Sequence, residues 1–376
     1  MRTRAESAGR SAAIAVLVLL IAVLAYQTWL RFSEALDLNI YLVAARAFWE
    51  GENPYAIGTA APFIYPLFLC FVLWPLIHIP LELAAVAWFV LSLLALATAA
   101  GLTLKISGSI NVNRAVIAAA IVFVLLAEVL QNNFRNGQVN FIVLAATIAF
   151  AWCWTRGRRT LASGWLAVAI AVKVTPAIFL IFLARRRDWR TLVTTIAMTM
   201  VLTMALPAVV AGPRIVNDYR EYAREFVGDR VTSASGIIVE RRPFSVAGAL
   251  HRFTAISWPF DAVMLGLGVL LITGLVIDRG RPATGQATTA LVCFYLVAML
   301  LATPMSEVHH LAFVLPGLLW LTYRALGGEL SRGHLAALAF VVAALMLRRH
   351  FHIAGFIGVA SAWALLAVEV RSHGRA

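Results

Sequence analysis

Five short stretches of this sequence carry side chains able to do chemistry. The first is EALDLNIYLVAARAFWEGENPY, Glu34 to Tyr55, where Asp37 stands ahead of an apolar stripe of Leu38, Leu42, Ala45 and Trp49 that suits a short interfacial helix ended by Gly51. A carboxylate there serves either as a general base or as the helix N-cap, and the two roles are compatible. The second is SEVHH, with Glu307, His309 and His310: imidazoles that can bind phosphate oxygens, relay protons or simply end a helix. Adjacent histidines point to different faces, so one of the two is expected to reach a shared site. The loop offers too few ligands for a metal centre, and none is expected. The third is Lys173, one of two lysines among 31 basic residues, set in an apolar stretch beside Pro176. An ionisable group at that depth is costly enough to suggest function, although a snorkelling or salt-bridged lysine is the plain alternative. The fourth is FRNGQVN, in which Gly137 permits a tight turn while Arg135, Asn136, Gln138 and Asn140 offer donors and acceptors to sugar hydroxyls or phosphate. The fifth is ERRPFS, whose Arg241 and Arg242 could grip a lipid phosphate or the headgroups of surrounding lipid.

The elements that must hold these residues are membrane helices. Of 376 residues, 62% are hydrophobic and 13% charged, and the mean hydropathy is +0.86. A soluble domain has roughly 45 to 50% apolar residues. Apolar runs recur from Ser11 to Val370 with short polar breaks, so one membrane domain over 1–376 is expected. A net charge of +13 would suggest nucleic acid in a soluble protein, but here the arginines cluster in short loops between apolar runs. That pattern fits cytoplasmic loops, and no nucleic acid is expected. Cys70, Cys153 and Cys293 lack metal or redox spacing. The N-terminus reads as an uncleaved first span.

Charge alternation gives about ten crossings and two re-entrant hairpins in an all-α fold. One hairpin is Tyr65 to Pro80, short and interrupted by Pro66 and Pro75. The other is the Lys173 segment, whose ends both carry arginines and whose arms, at about ten residues each, reach only about 15 Å. Each hairpin could instead be a full span. An RRHFH turn, Arg348 to His352, is expected to lie exposed between two short final spans. The outer face then gathers four loops: 31–62, 131–140, 212–260 and 304–310. The third combines Tyr219, Tyr222 and Phe226 at helical spacing with a flexible TSASG link, which suits a mobile cover.

Asp37, Tyr41, Gly51, Pro54 and Tyr55 (D-x3-Y, then G-x2-PY), the NGQVN turn, the lysine-proline segment and the late HH occur in an order that resembles glycosyltransferase family 87, over roughly Asp37 to Leu319. That family belongs to the GT-C membrane glycosyltransferases and includes polyprenyl-phosphate-mannose-dependent α-mannosyltransferases and a related arabinofuranosyltransferase. The resemblance implies inverting transfer of a sugar, expected to be mannose, from a β-linked polyprenyl-phosphate donor to a lipid or glycan acceptor on the outer face of the cytoplasmic membrane, with no cofactor. It makes Asp37 and His310 catalytic. Tyr41, Tyr55, Arg135, Asn136, Gln138, Asn140, Lys173, Arg241, Arg242, Glu307 and His309 are then expected to line the substrate site. Where the family commonly has asparagine before the serine after the long loop, this chain has Pro243 and Phe244 before Ser245. The rival expectation is a transporter or lipid-linked-sugar flippase, which also needs many helices and an intramembrane lysine; the lack of an internal repeat and the one-sided polar loops speak against it.

Overall fold

A computed structural model describes residues 2–32, 35–59, 62–224, 244–254, 259–278, 285–303 and 306–373, and among these the regular structure is all helix, with no strand. Glu34, Arg241 and Arg242, the TSASG link and Phe226 lie outside the described residues.

The chain opens with α1 (Arg2–Leu30), followed by α2 (Leu36–Glu50). Gly51 ends α2 as its sequence suggests, in the left-handed conformation at φ 91°, with the Glu52 amide reaching back to the Ala47 carbonyl. The burial of α2 is wider than the one apolar stripe its sequence suggests. Ile40, Tyr41, Ala44, Ala47 and Phe48 are buried along with Leu38, Leu42 and Ala45, so apolar side chains surround the helix and demand cover on nearly every side. Part of that cover is the segment expected to form the first hairpin. It is one helical run, α3 (Phe68–Leu73) continuing into a 3-10 turn over Trp74–His78, and it packs along α2 without reversing. Pro75 sits in the first turn of the 3-10 segment, where a missing N–H costs nothing. Trp49 Nε1 donates to the Cys70 carbonyl at 3.1 Å and Arg46 to the Ile77 carbonyl at 3.2 Å, tying the two segments together.

Next come α4 (Leu81–Ser107), α5 (Val112–Leu125) and α6 (Ala127–Asn136). The chain bends by 74° between α5 and α6. The composition changes there from a wholly apolar run to the amphipathic AEVLQNNFRN, which buries Val129, Leu130, Asn133 and Phe134 on one side. Glu128, at the start of α6, takes ion pairs from Arg348 at 2.5 Å and Arg349 at 2.6 Å. The RRHFH turn is therefore only partly exposed: Arg348 is buried, holding the bend to the last two helices.

α7 (Asn140–Thr155) and α8 (Arg159–Val172) pack side by side, and after a break at Lys173 the chain returns through a 3-10 turn and α9 (Ile178–Arg185). The segment's two ends meet: Arg159 pairs with Asp188 at 3.0 Å, and Asp188 also accepts from Trp154 Nε1 at 2.9 Å. The arms are unequal, with 14 residues in α8 and 8 in α9. At 1.5 Å per residue α8 lifts Lys173 about 20 Å above the arginine level.

α10 (Trp189–Met200) leads through a π-turn (Val201–Ala205) into α11 (Leu206–Ala211) and, past Gly212, into α12 (Ile215–Tyr222). Pro207 explains the π-turn: it lacks the N–H that would bond the Thr203 carbonyl. Tyr219 donates its hydroxyl to that carbonyl instead, at 2.5 Å. α13 (Val246–Thr254), α14 (Pro259–Leu271), α15 (Gln286–Ala302), α16 (Leu315–Leu326), α17 (Arg332–Leu347) and α18 (His352–His373) complete the fold. Ser245 caps α13 by accepting from the Gly248 amide at 3.1 Å. Phe244 is buried against Gly355 of α18. Phe244 and Ser245, at the point where the chain departs from the family pattern, thus anchor the long loop where it rejoins the bundle.

Among the described residues four helices are long and apolar enough to cross a membrane: Ala8–Leu30, Leu81–Ser107, Trp189–Tyr222 and Ile353–Ser372. The bent pair α5 and α6 makes a fifth candidate, and the other apolar helices run to 17 residues or fewer. The protein is an all-α, polytopic membrane protein.

Candidate active site

The site forms where the N-terminal ends of α2 and α7 meet the Lys173 break and the turn before α16. Gly137 makes that meeting possible. Its φ is +69°, and a Cβ there would lie 2.5 Å from the Leu38 Cβ, so only glycine lets α6 close onto α2. Its carbonyl accepts from Trp88 Nε1 of α4 at 2.8 Å.

Asp37 lies in the first turn of α2, and it is not the N-cap. Ala35 holds that position and no side chain caps the helix. The carboxylate instead accepts a hydrogen bond from Gln138 Nε2 at 2.6 Å through Oδ2, which leaves Oδ1 for a substrate. Burial, with a smaller push from the Glu307 charge, raises its pKa to about 6, against the opposing pull that Lys173 exerts when charged and that of the Gln138 hydrogen bond. A carboxylate so placed is ionised at neutral pH yet basic enough to share a proton.

Behind Asp37 stands a layer of tyrosines. Tyr41 is buried and its hydroxyl donates to the Tyr65 hydroxyl at 2.9 Å, with the Gln138 Oε1 at 3.4 Å. Tyr55 donates to the Tyr65 carbonyl at 2.9 Å and packs on Tyr222 and Tyr219, with ring centroids 5.1 and 6.3 Å away. Tyr41, Tyr55 and Gln138, expected to touch substrate, spend these polar atoms on protein partners and shape the site from behind. Tyr65 was not among the expected residues. Its hydroxyl accepts the hydrogen bond from Tyr41, and its ring centroid lies 5.7 Å from Lys173 Nζ. Only its place beside Pro66 in a short aromatic stretch marks it in the sequence.

On the other side Lys173 Nζ is 2.8 Å from Asn140 Oδ1 and 2.8 Å from His310 Nε2. Asn140 is itself held through Nδ2 by Asn133 Oδ1 at 3.0 Å and the His309 carbonyl at 3.3 Å. Asn133 Nδ2 reaches that carbonyl at 2.9 Å, a second supporting residue the sequence reading passed over. Its spacing of seven from Asn140 was the available signal. His310 closes a capping box: the Glu307 amide donates to its Nδ1 at 2.9 Å while the Glu307 side chain accepts from the first turn. Of the two histidines it is therefore His310 that meets Lys173. The His309 ring lies tilted against that of His310, with centroids 4.1 Å apart, and its Nδ1 is 3.8 Å from Glu307. Asn136 bonds Asn132 along α6, and Arg135 is half-buried in the same last turn. Among the described residues no three His, Cys, Asp or Glu side chains converge as a metal site would require.

The far end of the bundle is cationic. Arg159 and Arg185 to Arg187 sit a helix length below the site, and Arg114 and Arg324 mark the corresponding ends of α5 and α16. The site thus lies at the opposite end from this arginine cluster.

The sequence profile of glycosyltransferase family 87 matches residues 63–306. A polyprenol-phosphate-mannose-dependent alpha-(1-2)-phosphatidylinositol mannoside mannosyltransferase of Mycolicibacterium smegmatis is 30% identical over 76% of this chain and 69% of its own length. The protein of the same description from Mycobacterium tuberculosis is 28% identical over 79% and 73%. A solved structure, ArnT from Cupriavidus metallidurans bound to undecaprenyl phosphate, aligns with a TM-score of 0.42 at 15% identity, covering 94% of this chain and 77% of that one. The profile match across most of the chain, together with the first of these relatives, establishes that this membrane protein is a glycosyltransferase of family 87.

Proposed function

We propose that the chain transfers mannose from a polyprenyl-phosphate donor to a hydroxyl of a lipid-linked acceptor, on the outer face of the cytoplasmic membrane and with inversion. The observation that carries this reading is the pairing of a carboxylate with one free oxygen, Asp37, and a lysine-histidine pair, Lys173 with His310, at the end of the bundle opposite Arg159 and Arg185 to Arg187. The relatives' descriptions supply the donor class and a phosphatidylinositol mannoside acceptor. In this mechanism the acceptor oxygen attacks the anomeric carbon while the bond from that carbon to the phosphate oxygen breaks and its electron pair leaves on the phosphate. Asp37 Oδ1 takes the acceptor proton, and Lys173 with His310 stabilises the charge that gathers on the departing phosphate. An apolar groove along Met200, Met204, Ala208 and Val216 ends at Tyr219, against Tyr55, and supports approach of a long prenyl chain from the lipid. Purified protein in liposomes, given polyprenyl-phosphate [3H]mannose and a phosphatidylinositol mannoside, should move label into the acceptor. Movement of intact donor across the bilayer without cleavage would overturn the reading.

A further inference from the structure

The contacts of Lys173 fix a proton count. A hydrogen bond 2.8 Å long between Lys173 Nζ and His310 Nε2 needs one hydrogen between two nitrogens, so one nitrogen donates and the other accepts. The other side of the imidazole decides which. His310 Nδ1 accepts from the Glu307 amide at 2.9 Å, so in the neutral ring the hydrogen is on Nε2 and points at Lys173. An ammonium has three donors and no acceptor, and cannot receive it. Lys173 Nζ must then be a neutral amine, accepting from His310 and donating to Asn140 Oδ1 at 2.8 Å. Of the groups around it, His309 lacks a full charge unless protonated and Asn140 and Asn133 are neutral amides, whereas the Tyr65 ring and the carboxylates of Asp37 from α2 and Glu307 from the turn before α16 favour the ammonium, so the amine stands ready to take up a proton.

We propose that the unliganded site holds Lys173 as a neutral amine and that binding of the donor phosphodiester draws in one proton, which converts Lys173 to the ammonium facing the phosphate. This rests on the reading of the site as one for a polyprenyl-phosphate sugar. The balance is one free amine, one proton and one phosphate monoanion giving an ammonium-phosphate pair; the hydrogen on His310 Nε2 is released from Lys173 and becomes available to a second phosphate oxygen. When the sugar leaves, the phosphate gains a second negative charge beside a lysine that already carries the compensating proton. Lys173 is then the group that adjusts its charge to the ligand, while the backbone amide of Glu307 acts as the positioning group that selects the His310 tautomer.

The test is calorimetric titration of the detergent-solubilised protein with a short-chain prenyl-phosphate mannose, without acceptor, at about pH 7.5, in two buffers of different ionisation enthalpy. The phosphodiester does not titrate in that range, so the difference in apparent heat reports protons taken up by the protein. Uptake close to one proton per ligand is expected, with the dissociation constant rising about tenfold per pH unit on the alkaline side. Lys173→Arg keeps a permanent charge and should bind with no uptake. His310→Asn, which removes the competing imidazole hydrogen, should reduce the uptake and leave binding measurable. Saturable binding with no proton uptake in the wild type overturns the proposal and leaves the proposed function standing, as does undiminished uptake in Lys173→Arg. Failure of the folded wild type to bind the phosphodiester at any pH overturns both.

Discussion

Replacing Asp37 by asparagine should separate catalysis from stability. The geometry tolerates the change: the carbonyl oxygen of the substituted side chain can take the Gln138 hydrogen bond now made at 2.6 Å, and the new amide nitrogen occupies the place of the oxygen facing the cleft. What disappears is the ability to accept a proton, which should lower turnover about 100- to 10,000-fold. The stability change has the opposite sign. Moving the carboxyl from 3.8 to about 6 makes the ionised form about 3 kcal/mol less favourable in the folded protein than in the unfolded chain. Because the folded value is the higher one, this group contributes most stability when protonated, and that contribution fades as pH rises from about 4 through about 6. Above this window the wild type carries the full penalty. Asparagine removes it and gives up at most about 1 kcal/mol of favourable charge at the helix N-terminus. Loss of an N-cap does not enter, since Ala35 is the cap. Mannosyl transfer measured in liposomes, alongside a thermal melt at about pH 7.5, should show lost turnover with a melting temperature equal to or above that of the wild type. Near-normal turnover would remove Asp37 from the mechanism. A marked fall in melting temperature would refute the argument from burial.

Below about pH 6 the wild-type kcat/KM should fall tenfold per pH unit as Asp37 takes up a proton; a flat acid profile would count against it as the base. Gln138→Leu removes the hydrogen bond that favours the carboxylate, so the acid limb should move to higher pH, with activity partly recovered near about pH 8. Gly137→Ala combines a left-handed backbone, about 1 to 2 kcal/mol, with a collision against Leu38 worth about 1 to 3 kcal/mol more, and should show as a lower melting temperature and weak transfer. Cysteines at Gly157 and Arg187, which flank the Arg159–Asp188 pair, should both label from the cytoplasmic side; labelling of one from each side would make the Lys173 segment a crossing.

Composition and patterning were enough to read the class of the protein, and the motifs singled out several of the polar residues that the fold brings together. Sixty-two per cent hydrophobic residues in long runs admit no solution but helices in lipid, because backbone polar groups there must bond within their own segment. Gly51 and Gly137 were legible for a similar reason, as positions where a left-handed turn tolerates little else. The meeting of Asp37, Gln138, Asn140, Lys173 and His310 rests on hydrogen bonds across 33 to 137 residues of sequence, which no local pattern encodes. The packed fold, not any local pattern, bonds Asp37 to Gln138 in place of a cap, brings Tyr65 and Asn133 into the same hydrogen-bond network, and turns the Tyr41 and Tyr55 hydroxyls to protein partners. It also decided which histidine meets the lysine, because a backbone amide three residues earlier holds His310 Nδ1 and leaves its Nε2 2.8 Å from Lys173 Nζ. The bend at Leu126 was hidden because its cause lies at a distance: Arg348 and Arg349 hold Glu128 from the far end of the chain, and an apolar run read on its own cannot report where its partners will pull it.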